Sequence, residues 1–152
     1  MPIPLPEADP CPFCEYVARG VTSRGMRAAI VMERALTLSF IDPRPMQPGH
    51  VLVIPKRHAA TLIDLEPEEA RQVIEHARDI SVALVEALAA EGINAFQNNG
   101  VAAGQSVPHY HMHVVPRRPG DGNKFAPEHA RAISPEADRL AMAQRIRRAL
   151  EA

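Results

Sequence analysis

The chain has 152 residues, 46% of them hydrophobic and 23% charged, the size and balance of one compact domain. A net charge of -1 supplies no global field for nucleic acid or an anionic membrane, so any phosphate affinity must be local. No apolar run reaches the roughly 18 to 20 residues that span a bilayer. The opening MPIPLPEADP also lacks the basic start and apolar stretch of a secretion signal, so a cytoplasmic protein is expected.

In chain order, the Pro-rich residues 1–10 are expected to be loosely ordered ahead of a single domain over 11–152. Cys11 and Cys14 come next and are the only cysteines. A bridge between them would close a very short loop and stabilise little, so Cys-x-x-Cys asks for another role. β-favouring runs follow at 29–32, 37–42 and 51–55. A long helical pattern then opens with Pro67 in its first turn and Glu68 and Glu69 near the positive helix end. Its apolar stripe is Ala70, Val73, Ile74, Ala77, Ile80, Leu84, Val85 and Leu88, with Gly92 past the last turn, and it is expected to cover one sheet face. Two more strand-like runs lie at 94–98 and 109–115. A second helix is expected from a Ser134 cap, with Pro135 in its first turn, to about Leu150. Its basic end, Arg145, Arg147 and Arg148, reads as a solvated helix terminus. Short strands with one inserted and one terminal helix predict α+β architecture with an antiparallel sheet.

Three of the seven histidines fall within His109-Tyr110-His111-Met112-His113. On a strand, alternation would put the three imidazoles on one face at roughly 6.5 to 7 Å spacing, with Tyr110, Met112 and Val114 on the other. Such a face suits nucleophilic chemistry or a transition-metal site, and a merely polar His-rich face is the plain alternative.

The stretch Asn98-Asn99-Gly100 through Gly104-Gln105-Ser106-Val107-Pro108-His109-Tyr110-His111-Met112-His113-Val114-Val115-Pro116-Arg117 closely resembles the histidine-triad signature. Phe40-Ile41-Asp42 and Pro48-Gly49-His50-Val51-Leu52-Val53-Ile54-Pro55 resemble that family's nucleotide-binding strands, and Cys11-Pro-Phe-Cys14 extends the likeness. The resemblance implies a five-stranded antiparallel sheet with two helices, often a homodimer, that binds a purine nucleotide and cleaves a phosphoramidate or phosphoanhydride bond at the α-phosphorus. It makes His111 the nucleophile. His113 and Ser106 would be donors to phosphate, Gln105 would contact the scissile bridge, and Asn98 would support the histidine and phosphate. The nucleotide would lie along Gly104 to Val107, with Asp42 at the ribose. Turn chemistry is the plain alternative for Asn98, Gln105, Ser106 and Asp42.

Zinc-bearing members also imply a structural zinc held by Cys11, Cys14, His50 and His109, with reduced thiols as the alternative. His58 reads instead as a buried hydrogen-bonding residue, and His76 and His129 as bystanders. Pro108 removes a backbone donor just before the triad, so His109 is expected to begin its strand. The tail lacks the tryptophan-containing motif of the phosphoramidase branch, since the chain has no Trp. The competing readings are a nucleotide-binding regulator with little turnover and a zinc-stabilised interaction module.

Overall fold

The structure is a computed structural model that describes residues 2–122 and 125–152. Its five strands are β1 (Ile30–Glu33), β2 (Thr37–Ile41), β3 (Val51–Pro55), β4 (Gly92–Phe96) and β5 (Met112–Arg117), and its helices are α1 (Pro12–Arg19), α2 (Pro67–Leu88) and α3 (Glu136–Glu151). The strands form one antiparallel sheet in the order β1-β2-β3-β5-β4. The fold is α+β as the sequence predicts, with three α-helices rather than two.

The additional helix is α1. Cys11 is its N-cap, with Sγ accepting from the Cys14 amide at 3.4 Å, Pro12 fits the first turn, and left-handed Gly20 ends it. It packs Phe13 and Tyr16 against Leu38, Phe40, Leu52 and Ile54 on one face of the sheet. The opposite face takes Val31, Ile41, Val51, Val53, Tyr110 and Val114 under α2 and α3. With a layer on each side, every residue of β2 and β3 is buried; β3 reads as an apolar run, whereas β2 alternates, its Thr37 and Ser39 meeting His76 of α2.

In α2, Ile74 and Val85 are exposed, and His76 is buried in the stripe instead, bonded to Thr37 Oγ1 at 2.8 Å and Ser39 Oγ at 2.9 Å. The helix stops at left-handed Ala89, while Gly92 opens β4, and α3 is capped by Pro135 rather than Ser134. The N-terminal segment is docked. Pro4 accepts from the Val101 amide at 2.9 Å, and Gly100, at φ +92°, leaves Ile3 a place that a Cβ would fill.

Candidate active site

β5 begins at Met112 rather than His109, because Pro108 and the Tyr110 amide, which donates to Ala59 at 2.7 Å, keep residues 109–111 out of the ladder. Alternation nevertheless holds: Tyr110 and Val114 enter the α2 core, and His109, His111 and His113 are buried on the α1 side. The rings of His111 and His113 lie 5.0 Å apart, and Phe13 meets His109 and His111 edge-on at 5.8 and 5.3 Å.

Each histidine's tautomer follows from its partners. His111 Nδ1 lies 2.7 Å from the His109 carbonyl, which can only accept, so Nδ1 carries the proton and Nε2 the lone pair. Burial lowers the proton affinity of His111, keeping that lone pair free. At the far end, the Met46 amide donates to His50 Nδ1 at 3.0 Å. The His50 proton therefore sits on Nε2, 2.9 Å from His113 Nδ1, and the His113 proton is left on Nε2. Burial lowers His50 to about 3 and, with His111 and His50 beside it, depresses His113 as well, so both rings are neutral near pH 7.

His109 is used differently. Its Nε2 donates to the Pro55 carbonyl at 2.8 Å, and its Nδ1 lone pair faces Cys11 Sγ and Cys14 Sγ, both at 3.5 Å. His58 Nδ1 lies 3.2 Å from Cys14 Sγ. Tetrahedral zinc with Zn–S near 2.3 Å and Zn–N near 2.0 Å implies S···N separations of about 3.5 Å, close to the three sulfur–imidazole distances of 3.2 to 3.5 Å in this cluster. The fourth member is His58, not His50. The β3–β5 register pairs Val51 with Val114 and Leu52 with His113, which puts His50 at the His113 end and carries the chain past Pro55 toward His109. His50 instead lies with Asp42 and His113.

A pocket of about 440 Å³ opens over His111 and His113, within the range of small-molecule sites. Asp42, Leu52, Val107, His111 and His113 line its inner part, and residues 7–10 of the N-terminal segment its rim. Asp42 is buried, its Oδ1 accepting from the Arg44 amide at 2.9 Å and its Oδ2 3.5 Å from His50 Nε2. Gly104 takes the left-handed turn, with Asn98 alongside, and Ser106 is exposed. Gln105 turns its carboxamide into the loop. Its Oε1 accepts from the Gly100 amide at 2.6 Å and its Nε2 donates to the carbonyls of Ala60 (2.7 Å) and Val107 (2.9 Å), so the carboxamide braces the turn.

The HIT domain profile matches residues 24–120, which hold both Asp42 and the triad. The chain belongs to the HIT domain family. The HIT chain is 38% identical over 118 residues to "Protein hit" of Bacillus subtilis, covering 78% of this chain and 77% of that protein. It is 35% identical over 107 residues to adenosine 5'-monophosphoramidase hnt1 of Schizosaccharomyces pombe, covering 70% and 74%. The crystal structure of a Zn-bound histidine triad family protein from Mycobacterium smegmatis superposes with a TM-score of 0.79 at 36% identity, covering 94% of each chain. Three neighbours of the HIT site escaped the sequence reading. Phe13 lies inside the readable Cys-x-x-Cys and His58 reaches Cys14 only in space, whereas Arg131, 3.8 Å from Asp42, has no local signal.

Proposed function

We propose that this HIT protein hydrolyses a purine nucleotide conjugate, a phosphoramidate or a dinucleoside polyphosphate, by attack of His111 on the α-phosphorus. The observation that carries the reading is the His111 Nδ1 bond to the His109 carbonyl, which leaves Nε2 unprotonated in a pocket lined by Asp42 and His113. As the Nε2–P bond forms, the bond to the leaving group breaks with its electron pair, an amine taking a proton from water and a polyphosphate leaving as the anion, while the His109 carbonyl holds the Nδ1 proton of the resulting cationic ring. Water then breaks the N–P bond, releasing the monophosphate and restoring neutral His111. His113 would offer Nε2–H to a non-bridging oxygen, with His50 fixing its tautomer. Asp42 would accept the ribose diol, and Ser106, Gly104 and Val107 would border the phosphate, with Asn98 beside them. The phosphoramidase activity named for the fission-yeast relative supports the reaction class.

Cys11, Cys14, His58 and His109 would hold a zinc ion. Four protein ligands leave no open position, so zinc there supplies a cross-link between α1 and the triad rather than a reactive water. Free thiols suit a reducing cytosolic setting. Homodimer formation is supported by the edge position of β4 and the exposed Ile74, Val82 and Val85 on α2. Acid-quenched mass spectrometry during turnover of adenosine phosphoramidate and diadenosine polyphosphates tests the mechanism. A nucleotidyl adduct on His111 is expected; AMP binding without turnover of any of these substrates would select the regulator instead.

A further inference from the structure

Residues 125–134 lie beyond the matched residues 24–120, and Glu128 and Ile133 among them line the pocket. Phe125 meets Phe96 edge-on at 5.4 Å, and Phe96 lies flat on His113 at 4.5 Å and 7°. Further along, Arg131 is only 9% exposed. Its Nη2 lies 3.8 Å from Asp42 Oδ2, while its Nε and Nη1 have no hydrogen-bond partner among the described residues. The Arg131 carbonyl accepts from Arg44 Nη1 at 2.9 Å, and the Arg44 amide donates to Asp42 Oδ1 at 2.9 Å, which closes a ring of contacts from Asp42 through Arg44 to Arg131 and back. The Ser134 amide adds a link to the Pro43 carbonyl at 2.9 Å.

A buried guanidinium needs an anion, and among the described residues Asp42 is the carboxylate within 4 Å of it. The need is mutual. Burial pushes Asp42 up to about 7, with Arg131 and Arg44 drawing it down and Glu128 raising it. His50 and Tyr16 also face it, so Asp42 is surrounded by Arg44, His50, Tyr16, Glu128 and Arg131. Of these, Arg131 brings a buried positive charge and an anchor together.

Resting on the reading of Asp42 as ribose acceptor, we propose that Arg131 is a positioning residue for Asp42, so that recognition of the 2′,3′-diol depends on the tail outside the HIT domain. Two hydroxyls donate best to a carboxylate that is both ionised and fixed; a protonated carboxyl offers a competing donor in place of an acceptor.

The test is calorimetric titration of the full chain with AMP and 2′,3′-dideoxy-AMP between pH 6 and 9. Both ligands carry the same phosphate, so the ratio of their Kd values isolates the diol. Wild type should favour AMP by about tenfold or more. Arg131→Met should bring the ratio near one at pH 7 and recover part of it above pH 8, as Asp42 ionises without help. Arg131→Lys should keep most of the ratio, and Arg44→Ala, at a half-buried residue, should lower it less than Arg131→Met. Equal weakening of both ligands by Arg131→Met would make the tail a cover only, and an unchanged ratio would detach Arg131 from the diol; either overturns the proposal. Should Arg131→Met not fold, the Arg44→Ala and Arg131→Lys ratios decide on the same terms. Asp42→Asn tests the underlying reading on its own: a wild-type ratio there would show that Asp42 does not hold the ribose, and the proposal would fall with it.

Discussion

The two outer histidines of the triad flank His111 symmetrically in sequence and are turned to opposite uses in space. His109 donates from Nε2 to Pro55 and aims its Nδ1 lone pair at two thiols, whereas His113 accepts at Nδ1 from His50 and presents its proton from Nε2. One end therefore offers electron pairs to a soft cation, and the other offers a proton to an anion. Identical side chains acquire distinct chemistry from the neighbour that fixes the tautomer.

His111→Ala should reduce turnover by on the order of 10⁴-fold or more while AMP still binds. His113→Ala, which removes a donor, should cost about 10²- to 10³-fold in kcat. Single-turnover kinetics on both variants checks the order, and a His113→Ala loss as deep as that of His111→Ala would end the distinction. Next in size is the metal. One zinc per chain is expected by elemental analysis, retained by His50→Ala and lost by His58→Ala or Cys14→Ser. Its removal by a chelator should lower Tm by roughly 5 to 10 °C, as a loss of about 2 to 3 kcal/mol would in a chain of this size. The reverse pattern, with zinc lost in His50→Ala and kept in His58→Ala, would move the metal to the other end of the triad.

That the sequence reading placed His50 with the cysteines has a physical cause. β3 and β5 are neighbours, as the motifs suggested, but neighbours in an antiparallel pair run past each other, so adjacency does not say which ends meet. Continuing the Leu52–His113 pairing would have carried His109 toward Lys56 and the residues after it, and so toward His58. The strands themselves are legible because β3 is an unbroken apolar run and because β2 and the triad alternate. α1 was not, since eight residues with Pro12 at the start and a capping thiol carry too little periodicity to register. Arg131 was invisible for a different reason: its partner Asp42 is far away in sequence, and no spacing rule links them.

A finer test of the His113 end uses His50. His50→Leu leaves the Met46 amide without its acceptor and lets the His113 proton distribute over both ring nitrogens. About a tenfold fall in kcat is expected, equivalent to about 1.4 kcal/mol, with KM little changed. Glutamine can both accept and donate, so His50→Gln should recover most of that loss. If Leu and Gln variants are equally impaired, His50 acts through packing rather than through the tautomer.

The smallest effect asks whether the His113 end is electrostatically balanced. Burial lowers His50 from 6.5 to about 3, so between these limits the unfolded chain binds a proton that the folded one does not. The His50 contribution to stability is therefore present above pH 6.5 and lost as the pH falls. Burial raises Asp42 from 3.8 to about 7, so there the folded chain holds the extra proton, and its contribution is present at low pH and lost as the pH rises through that window. Between about pH 4 and 6.5 the two slopes oppose each other within one contact of 3.5 Å. Buried His76, lowered to about 4 mainly by burial, adds an acid-side loss that is common to every variant. Removing the Asp42 slope should expose that of His50, so Asp42→Asn should steepen the fall in Tm between pH 6.5 and 4.5, by a few degrees at about 2 to 4 °C per kcal/mol. His50→Gln should flatten it relative to wild type. Thermal melts of the metal-free protein across this range decide the matter, because parallel curves for all three proteins would mean that Asp42 and His50 do not offset each other.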